Sequence, residues 1–183
     1  KFLICAVISL VGSVLFLAMD APLIRLYLTG DGDPTTAAAI LSEGRKYLFV
    51  MVWGFAPFAL TQAYASTLKE TGNTLVPMVA GITATLVNLV GNYVLIFGHF
   101  GAPAMGVEGA ALATVISRFV EFAIVAVWTH AHKQNNPYIV GAYRSFRLPG
   151  QLLRSIVVKG MPLLINEFLW ASGMAILNQC YAT

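Results

Sequence analysis

Residues 71–98 read TGNTLVPMVAGITATLVNLVGNYVLIFG. No side chain in this run is charged, and the run is long enough to cross a bilayer, which takes about 20 mostly apolar residues. It is not uniformly apolar. Gly81, Thr85, Asn88 and Asn92 stand at i, i+4, i+7 and i+11, so they share one face of a helix. Two amides one turn apart in hydrocarbon are costly unless they are hydrogen-bonded. That face is therefore expected to meet other helices or a watery cavity rather than lipid. Gly81 and Thr85 are expected to let a neighbouring helix approach closely. Spacing alone leaves two readings open: asparagines that only tie helices together, and a polar site inside a membrane bundle.

Composition places the rest of the chain in the same environment. Of 183 residues, 58% are hydrophobic and 10% charged, against roughly 25% charged in ordinary soluble domains. An all-α integral membrane protein is expected, a polytopic helical bundle rather than a soluble core. The chain starts at Lys1 without Met, and its last residues, NQCYAT, lie inside an apolar segment; it is expected to be a fragment of a longer protein. Cys5 and Cys180 sit in apolar segments and read as small hydrophobes rather than a disulfide or metal pair. The net charge of +3 comes without a basic stripe interleaved with aromatics, so nucleic acid is not an expected partner.

Five apolar segments are expected. The first is Phe2 to Met19, closed by Asp20, Pro22 and Arg25, with Leu23, Leu26 and Tyr27 as an interfacial turn. Gly30 to Pro34, GDGDP, reads as a turn, and Thr35 or Thr36 is placed to cap a short helix through Ala39. The second segment runs from about Tyr47 to Leu68, kinked by Pro57. The third is the run quoted above, entered through the polar turn Lys69–Asn73 and left through HFGAPAM at 99–105. The fourth spans about Val107 to Trp128. It opens with GVEGAALATVISR, whose small residues suit close packing, and it holds Arg118 and Glu121 at i, i+3, spaced to pair. The fifth begins at Gly160, with Leu152 to Lys159 before it expected to lie along the interface.

The linker before the fifth segment carries Lys133, Arg144 and Arg147, with Arg154 and Lys159 just beyond. Short loops rich in Lys and Arg stay in the cytoplasm. Residues 132–150 and Lys69 are therefore expected on the cytoplasmic side of a cell membrane, with 30–34 and 99–105 outside.

Glu167 is the single acid of the fifth segment, with Asn166 beside it. An intramembrane carboxylate is a functional-site hypothesis by default. Burial disfavours its charged form, and a bound proton or cation relieves that cost. A salt bridge to a helix outside this chain is the structural alternative.

Four blocks of this sequence resemble the multidrug and toxic compound extrusion (MATE) family. They are residues 47–78, YLFVMVWGFAPFALTQAYASTLKETGNTLVPM; 88–98, NLVGNYVLIFG; 106–118, GVEGAALATVISR; and Gly160-Met161-Pro162 followed by Glu167. The resemblance implies a twelve-helix, two-lobe transporter. Residues 1–131 would hold helices three to six of the first lobe, 132–150 the inter-lobe linker and 151–183 the first helix of the second lobe. It implies export of small organic cations and other amphipathic compounds by alternating access, with Na⁺ or H⁺ as coupling ion and no other cofactor. Partners would be membrane lipid and the remaining helices. Glu167 matches a seventh-helix glutamate implicated in coupling, Asn88 and Asn92 match a fifth-helix polar pair, and Thr114 matches a sixth-helix hydroxyl. Some members have Asp where this chain has Asn92, so one negative charge of a first-lobe cation site is missing. Na⁺ would be held, if anywhere, at Glu167. Trp53, Tyr64, Asn166 and Trp170 are candidates for the substrate cavity.

Three rival readings stand beside this one. A flippase for lipid-linked sugars would carry basic residues in its cavity; Glu167, and the absence of Lys or Arg near Asn88 in the sequence, count against it. A membrane-embedded enzyme lacks a ligand or nucleophile pattern, since His130 and His132 at i, i+2 do not share a helix face. A scaffold leaves Glu167 and the two asparagines unexplained.

Overall fold

The structure is a computed structural model and describes residues 2–25, 34–134, 136, 139 and 150–182. The chain divides into two units, Lys1–Val140 and Gly141–Thr183. The interfacial residues Leu26 and Tyr27, residues 30–33 of the expected turn and linker residues 140–149, including Arg144 and Arg147, lie outside the described residues.

Among the described residues the regular structure is entirely helical. The first unit holds α1 (Phe2–Ala18), α2 (Asp20–Arg25), α3 (Pro34–Val52), α4 (Phe55–Glu70), α5 (Leu75–Phe97) and α6 (Val107–Ala131), with a 3-10 turn at His99–Gly101. The second unit is one helix, α7 (Gly150–Ala182). Leu75–Phe97, Val107–Ala131 and Arg154–Asn178 are each long and apolar enough to cross a membrane. Thr36–Val52 and Phe55–Glu70 form one further span, bent by 43°. The outcome is an all-α polytopic membrane architecture, as composition requires.

Three local expectations are corrected. The short helix at Thr35–Ala39 is not separate: α3 runs without interruption from Pro34 into the apolar stretch. Polar composition does not stop a helix when nothing in it blocks the backbone ladder. Similarly, the fifth helix does not begin at Gly160: Leu152–Lys159 is already part of α7, which passes through Pro162. The bend in the second span falls at Trp53–Gly54 rather than at Pro57. There the N–H groups of Trp53 and Gly54 reach back only three residues, to Val50 (3.2 Å) and Met51 (2.9 Å). Pro57 lies in the first turn of α4, where its missing N–H is tolerated, so the ladder fails upstream of the ring.

The seam between α5 and α6 sets the frame of the first unit. A Cβ on Gly109 would fall 2.6 Å from the Leu95 carbonyl oxygen, and one on Gly91 would lie 3.0 Å from the Ala113 Cβ. Glycine at these two positions lets the backbones nearly touch. Gly98, in the left-handed region at φ 73°, ends α5 and turns the chain toward α6; its N–H bonds the Val94 carbonyl at 2.9 Å. Gly81 is not part of this clamp: a Cβ there would meet nothing within 4 Å among the described residues. The helices are thus clamped at one level and leave room at another.

α3 and α4 pack on α6, and α1 packs on α4. At the Lys69 end the core is Tyr64, Leu68, Ala80, Val125 and Ile139. At the other end Lys46 pairs with Glu43 (2.8 Å) and approaches Glu108 in the first turn of α6 (3.7 Å), while Arg45 bonds Asp20 at 2.7 Å.

Candidate functional site

The site grows from the α5–α6 clamp. Thr114 stands one turn beyond Ala110 on α6, and its hydroxyl donates to the Ala110 carbonyl at 3.0 Å. The same oxygen accepts from the Asn88 side-chain amide at 3.1 Å. Asn88 in turn accepts through Oδ1 from Asn92 Nδ2 at 3.1 Å. The chain Asn92–Asn88–Thr114 satisfies three polar side chains in the middle of two apolar spans. It ends on Asn92 Oδ1, which is buried and has no partner among the described residues. Leaving a buried acceptor unmade costs about 1–3 kcal/mol.

Where the helices leave room, a cavity of about 350 Å³ opens, lined by Gly81, Ala84, Thr85, Asn88, Thr114, Ser117, Arg118 and Glu121. The Thr85 and Ser117 hydroxyls are spent on backbone carbonyls of their own helices, at 2.9 and 2.7 Å. Arg118 and Glu121 form the ion pair that their spacing predicts, at 2.8 Å. Arg118 also lies over the Phe58 ring, 5.2 Å from its centroid, a cation–π distance. A second, smaller cavity of about 190 Å³ is lined by Met51, Gly54, Phe55, Phe58, Thr114, Val115 and Arg118. Thr114 and Arg118 belong to both.

Of the residues singled out in the sequence, Asn88, Asn92 and Thr114 come together. Trp53 sits at the α3–α4 break and is 67% exposed. Tyr64 is 3% exposed in the core, with Phe2 at 4.6 Å, His130 at 5.9 Å and Phe122 at 6.1 Å between ring centroids; its surroundings are those of a packing residue. Asn166, Glu167 and Trp170 are together on α7, in the second unit, all exposed there. Among the described residues no cluster of three metal-ligating side chains occurs.

Arg118 was missed as a cavity residue. In the sequence it is thirty positions from Asn88, so no basic residue seemed near that asparagine. The antiparallel pairing of α5 and α6 puts both on one cavity wall, and the absence of Lys or Arg near Asn88 no longer counts against a flippase. The signal was present: Arg118 follows Thr114 at i+4, on the same face of α6.

A set of apolar spans enclosing a hydrogen-bonded polar seam and a charged cavity defines a polytopic helical membrane protein. The MatE family profile matches residues 1–94. Curated relatives include the Probable multidrug resistance protein NorM of Thermotoga maritima, 30% identical over 182 residues, covering 92% of this chain and 37% of the relative. The Probable multidrug resistance protein YoeA of Bacillus subtilis is 30% identical over 169 residues, 92% of this chain and 34% of the relative. The Multidrug resistance protein MdtK of Klebsiella pneumoniae is 30% identical over 122 residues, 67% of this chain and 26% of the relative. No solved structure gives a significant match. The chain belongs to the MatE family, a family of transporters rather than enzymes. It spans about a third of the length of the curated relatives it matches.

Proposed function

We propose that this chain is part of a secondary active multidrug transporter that exports organic cations and other amphipathic compounds in exchange for Na⁺ or H⁺. One observation carries the reading: the hydrogen-bonded chain of Asn92, Asn88 and Thr114, half-buried between two membrane spans, with Asn88 and Thr114 lining a polar cavity. Among the described residues Asn92 Oδ1 has no donor. A water-bearing cation or a protonated amine would relieve that oxygen. Relatives named for multidrug resistance support the same reading.

Transport proceeds by alternating access, with two lobes rocking about a central cavity and ligand binding shifting which face is open. Glu167 couples the two ligands. It is the single acid of the apolar part of α7, and either a coupling ion or a cationic substrate neutralises it. Competition for one carboxylate is the simplest antiport scheme, because release of one ligand strengthens binding of the other. The first-lobe seam, which has amides where a carboxylate would be needed for a strong cation site, orients and hydrates rather than couples. The multi-pass protein lies in the cell membrane with residues 132–150 in the cytoplasm.

The test uses the full-length parent protein in inverted vesicles. Uptake of a fluorescent organic cation is followed under a Na⁺ gradient and then a pH gradient, with wild type and Glu167→Gln side by side. Gradient-driven uptake that disappears in Glu167→Gln is expected, and the effective gradient names the ion. Full coupled uptake by the variant would remove Glu167 from the coupling path. One observation favours a second reading, a lipid-linked sugar flippase: Arg118 lines the cavity that holds Asn88. Absence of uptake under either gradient would move the assignment there.

A further inference from the structure

We propose that the charged end of the first unit holds one phosphatidylethanolamine molecule, with its phosphate on Arg45, its ammonium on Glu108 and an acyl chain in the groove between α1 and α3. The inference goes beyond the efflux reading and does not rest on it. It concerns a lipid held at the membrane surface, not the compound or ion that is moved.

The cavity at this end has a volume of about 520 Å³ and is lined by Asp20, Arg45, Lys46, Phe49, Val50 and Glu108. Glu108 lies in the first turn of α6, a helix long and apolar enough to cross a membrane, so the cavity stands at headgroup level. Among the described residues, the hydrogen bond that Arg45 makes runs from Nε to Asp20 at 2.7 Å. The terminal nitrogens of its guanidinium are left to donate, in a planar arrangement that matches phosphate oxygens. Lys46 Nζ is drawn to Glu43 at 2.8 Å and reaches Glu108 only at 3.7 Å, longer than a good hydrogen bond. Glu108 therefore has capacity for a closer donor.

The balance of charge selects the headgroup. Arg45 and Lys46 stand among three carboxylates, Asp20, Glu43 and Glu108, one acid more than there are bases. A free phosphate, or the net negative headgroup of an anionic lipid, adds to that excess. A headgroup with a phosphate and an ammonium adds no net charge and sets each sign beside its opposite. A primary ammonium donates hydrogen bonds to a carboxylate, whereas the quaternary nitrogen of choline has no N–H to give.

The second half of the site is apolar. A groove of about 270 Å³ is lined by Ser13 and Leu17 of α1 and by Phe49, Val52, Trp53 and Ala56. Phe49 lines both the groove and the charged cavity, so the two meet at one side chain. Phe49, Val52 and Trp53 stand at i, i+3 and i+4, on one helix face, and Phe49 and Trp53 are 60% and 67% exposed. From Arg45 to Trp53 the span passes from its charged end into apolar sequence. Cavity and groove thus lie in the order a phospholipid requires, head at the surface and chain toward hydrocarbon.

The test uses the full-length parent, purified in detergent and stripped of lipid. It is titrated with palmitoyl-oleoyl phosphatidylethanolamine, phosphatidylglycerol or phosphatidylcholine, and native mass spectrometry counts the bound molecules. Wild type is expected to hold its first phosphatidylethanolamine about fivefold more tightly than either other lipid, and than glycerophosphoethanolamine, the headgroup without chains. Arg45→Gln and Glu108→Gln are each expected to weaken that molecule about fivefold, the scale of a charged hydrogen bond at a half-exposed position. The two changes lie on different helices, so one gives a reading if the other variant does not fold. Lys69→Gln, at the opposite end of the unit, is expected to leave it unchanged. Equal binding of the three lipids by wild type, or a preference for phosphatidylglycerol, would overturn the proposal. So would full affinity in Arg45→Gln and Glu108→Gln, or binding of glycerophosphoethanolamine as tight as that of the lipid. None of these readings involves uptake, so the efflux reading stands or falls by its own experiment.

Discussion

The α5–α6 seam and α7 solve one problem in opposite ways. Both place polar side chains in spans that hydrocarbon surrounds. On the seam, Asn92, Asn88 and Thr114 find one another within the unit, and Arg118 finds Glu121 one turn away. On α7, Glu167 stands in an apolar helix that is a unit by itself. The seam is self-sufficient, apart from one carbonyl oxygen. The α7 carboxylate has no such partner within its own unit among the described residues. Polar groups that a fold satisfies internally hold shape, and those it leaves open are free to take part in exchange.

The strongest way to break the seam is to push its helices apart. Gly109→Val puts atoms where the Leu95 carbonyl oxygen already lies at 2.6 Å from a Cβ. The full-length variant is expected to be lost from the membrane fraction or to melt at least 10 °C lower by fluorescence size-exclusion thermostability, whereas Gly81→Ala, which meets nothing within 4 Å, melts within a degree or two of wild type. Equal losses would mean that the clamp is not at Gly109.

Next in size is the α7 side of the comparison. Glu167→Gln is expected to abolish gradient-driven uptake while leaving protein level and melting temperature near wild type, because the exchange keeps the side chain's size and removes only its charge. Asn88→Ala should do less to transport and more to stability. It removes two hydrogen bonds, to Thr114 and from Asn92, and leaves the Asn92 amide unpaired, which predicts a loss of about 1–3 kcal/mol and uptake reduced severalfold. A variant at Asn88 that stops transport without lowering the melting temperature would make the seam a coupling site in its own right.

The smallest effect belongs to the polar end of the bundle. The Arg45 guanidinium, bonded to Asp20 at 2.7 Å, and the Ala21 N–H hold the Asp20 carboxyl below its usual value of 3.8. A depressed carboxyl contributes stability at pH above its ordinary value and loses it as pH falls through the lowered one. Asp20→Asn should therefore lower the melting temperature slightly at neutral pH, and the difference from wild type should shrink toward pH 3 and with added salt.

How far the sequence carried this picture depended on whether the deciding contact was local. Four of the five expected spans, the asparagine face and the Arg118–Glu121 pair follow from the pattern within one segment and are seen, while the first segment, Phe2–Ala18, is a shorter apolar helix. The α3–α4 bend was assigned to Pro57 because proline is the visible helix breaker, yet the backbone breaks at Gly54, where Val115 of α6 would lie 3.4 Å from a Cβ. Gly81 and Gly109 look alike in sequence, and only the crossing point of two helices tells which one is needed. Arg118 and Asn88 meet through antiparallel pairing, which no one-helix pattern reveals. Glu167 is legible as an anomaly, a lone acid in an apolar run.

The short connection from Gly98 to Gly106 has a consequence for how such a protein is made. Because α5 and α6 are neighbours in sequence as well as in space, their contacts have low contact order, and little loop entropy opposes their meeting. The two helices can close as a hairpin as soon as residue 131 has emerged from the ribosome, before residue 167 has emerged. Asn88 thus has Thr114 to bond at the time its helix enters lipid. A nascent chain with two unpaired amides would resist insertion; one that delivers them already locked together does not.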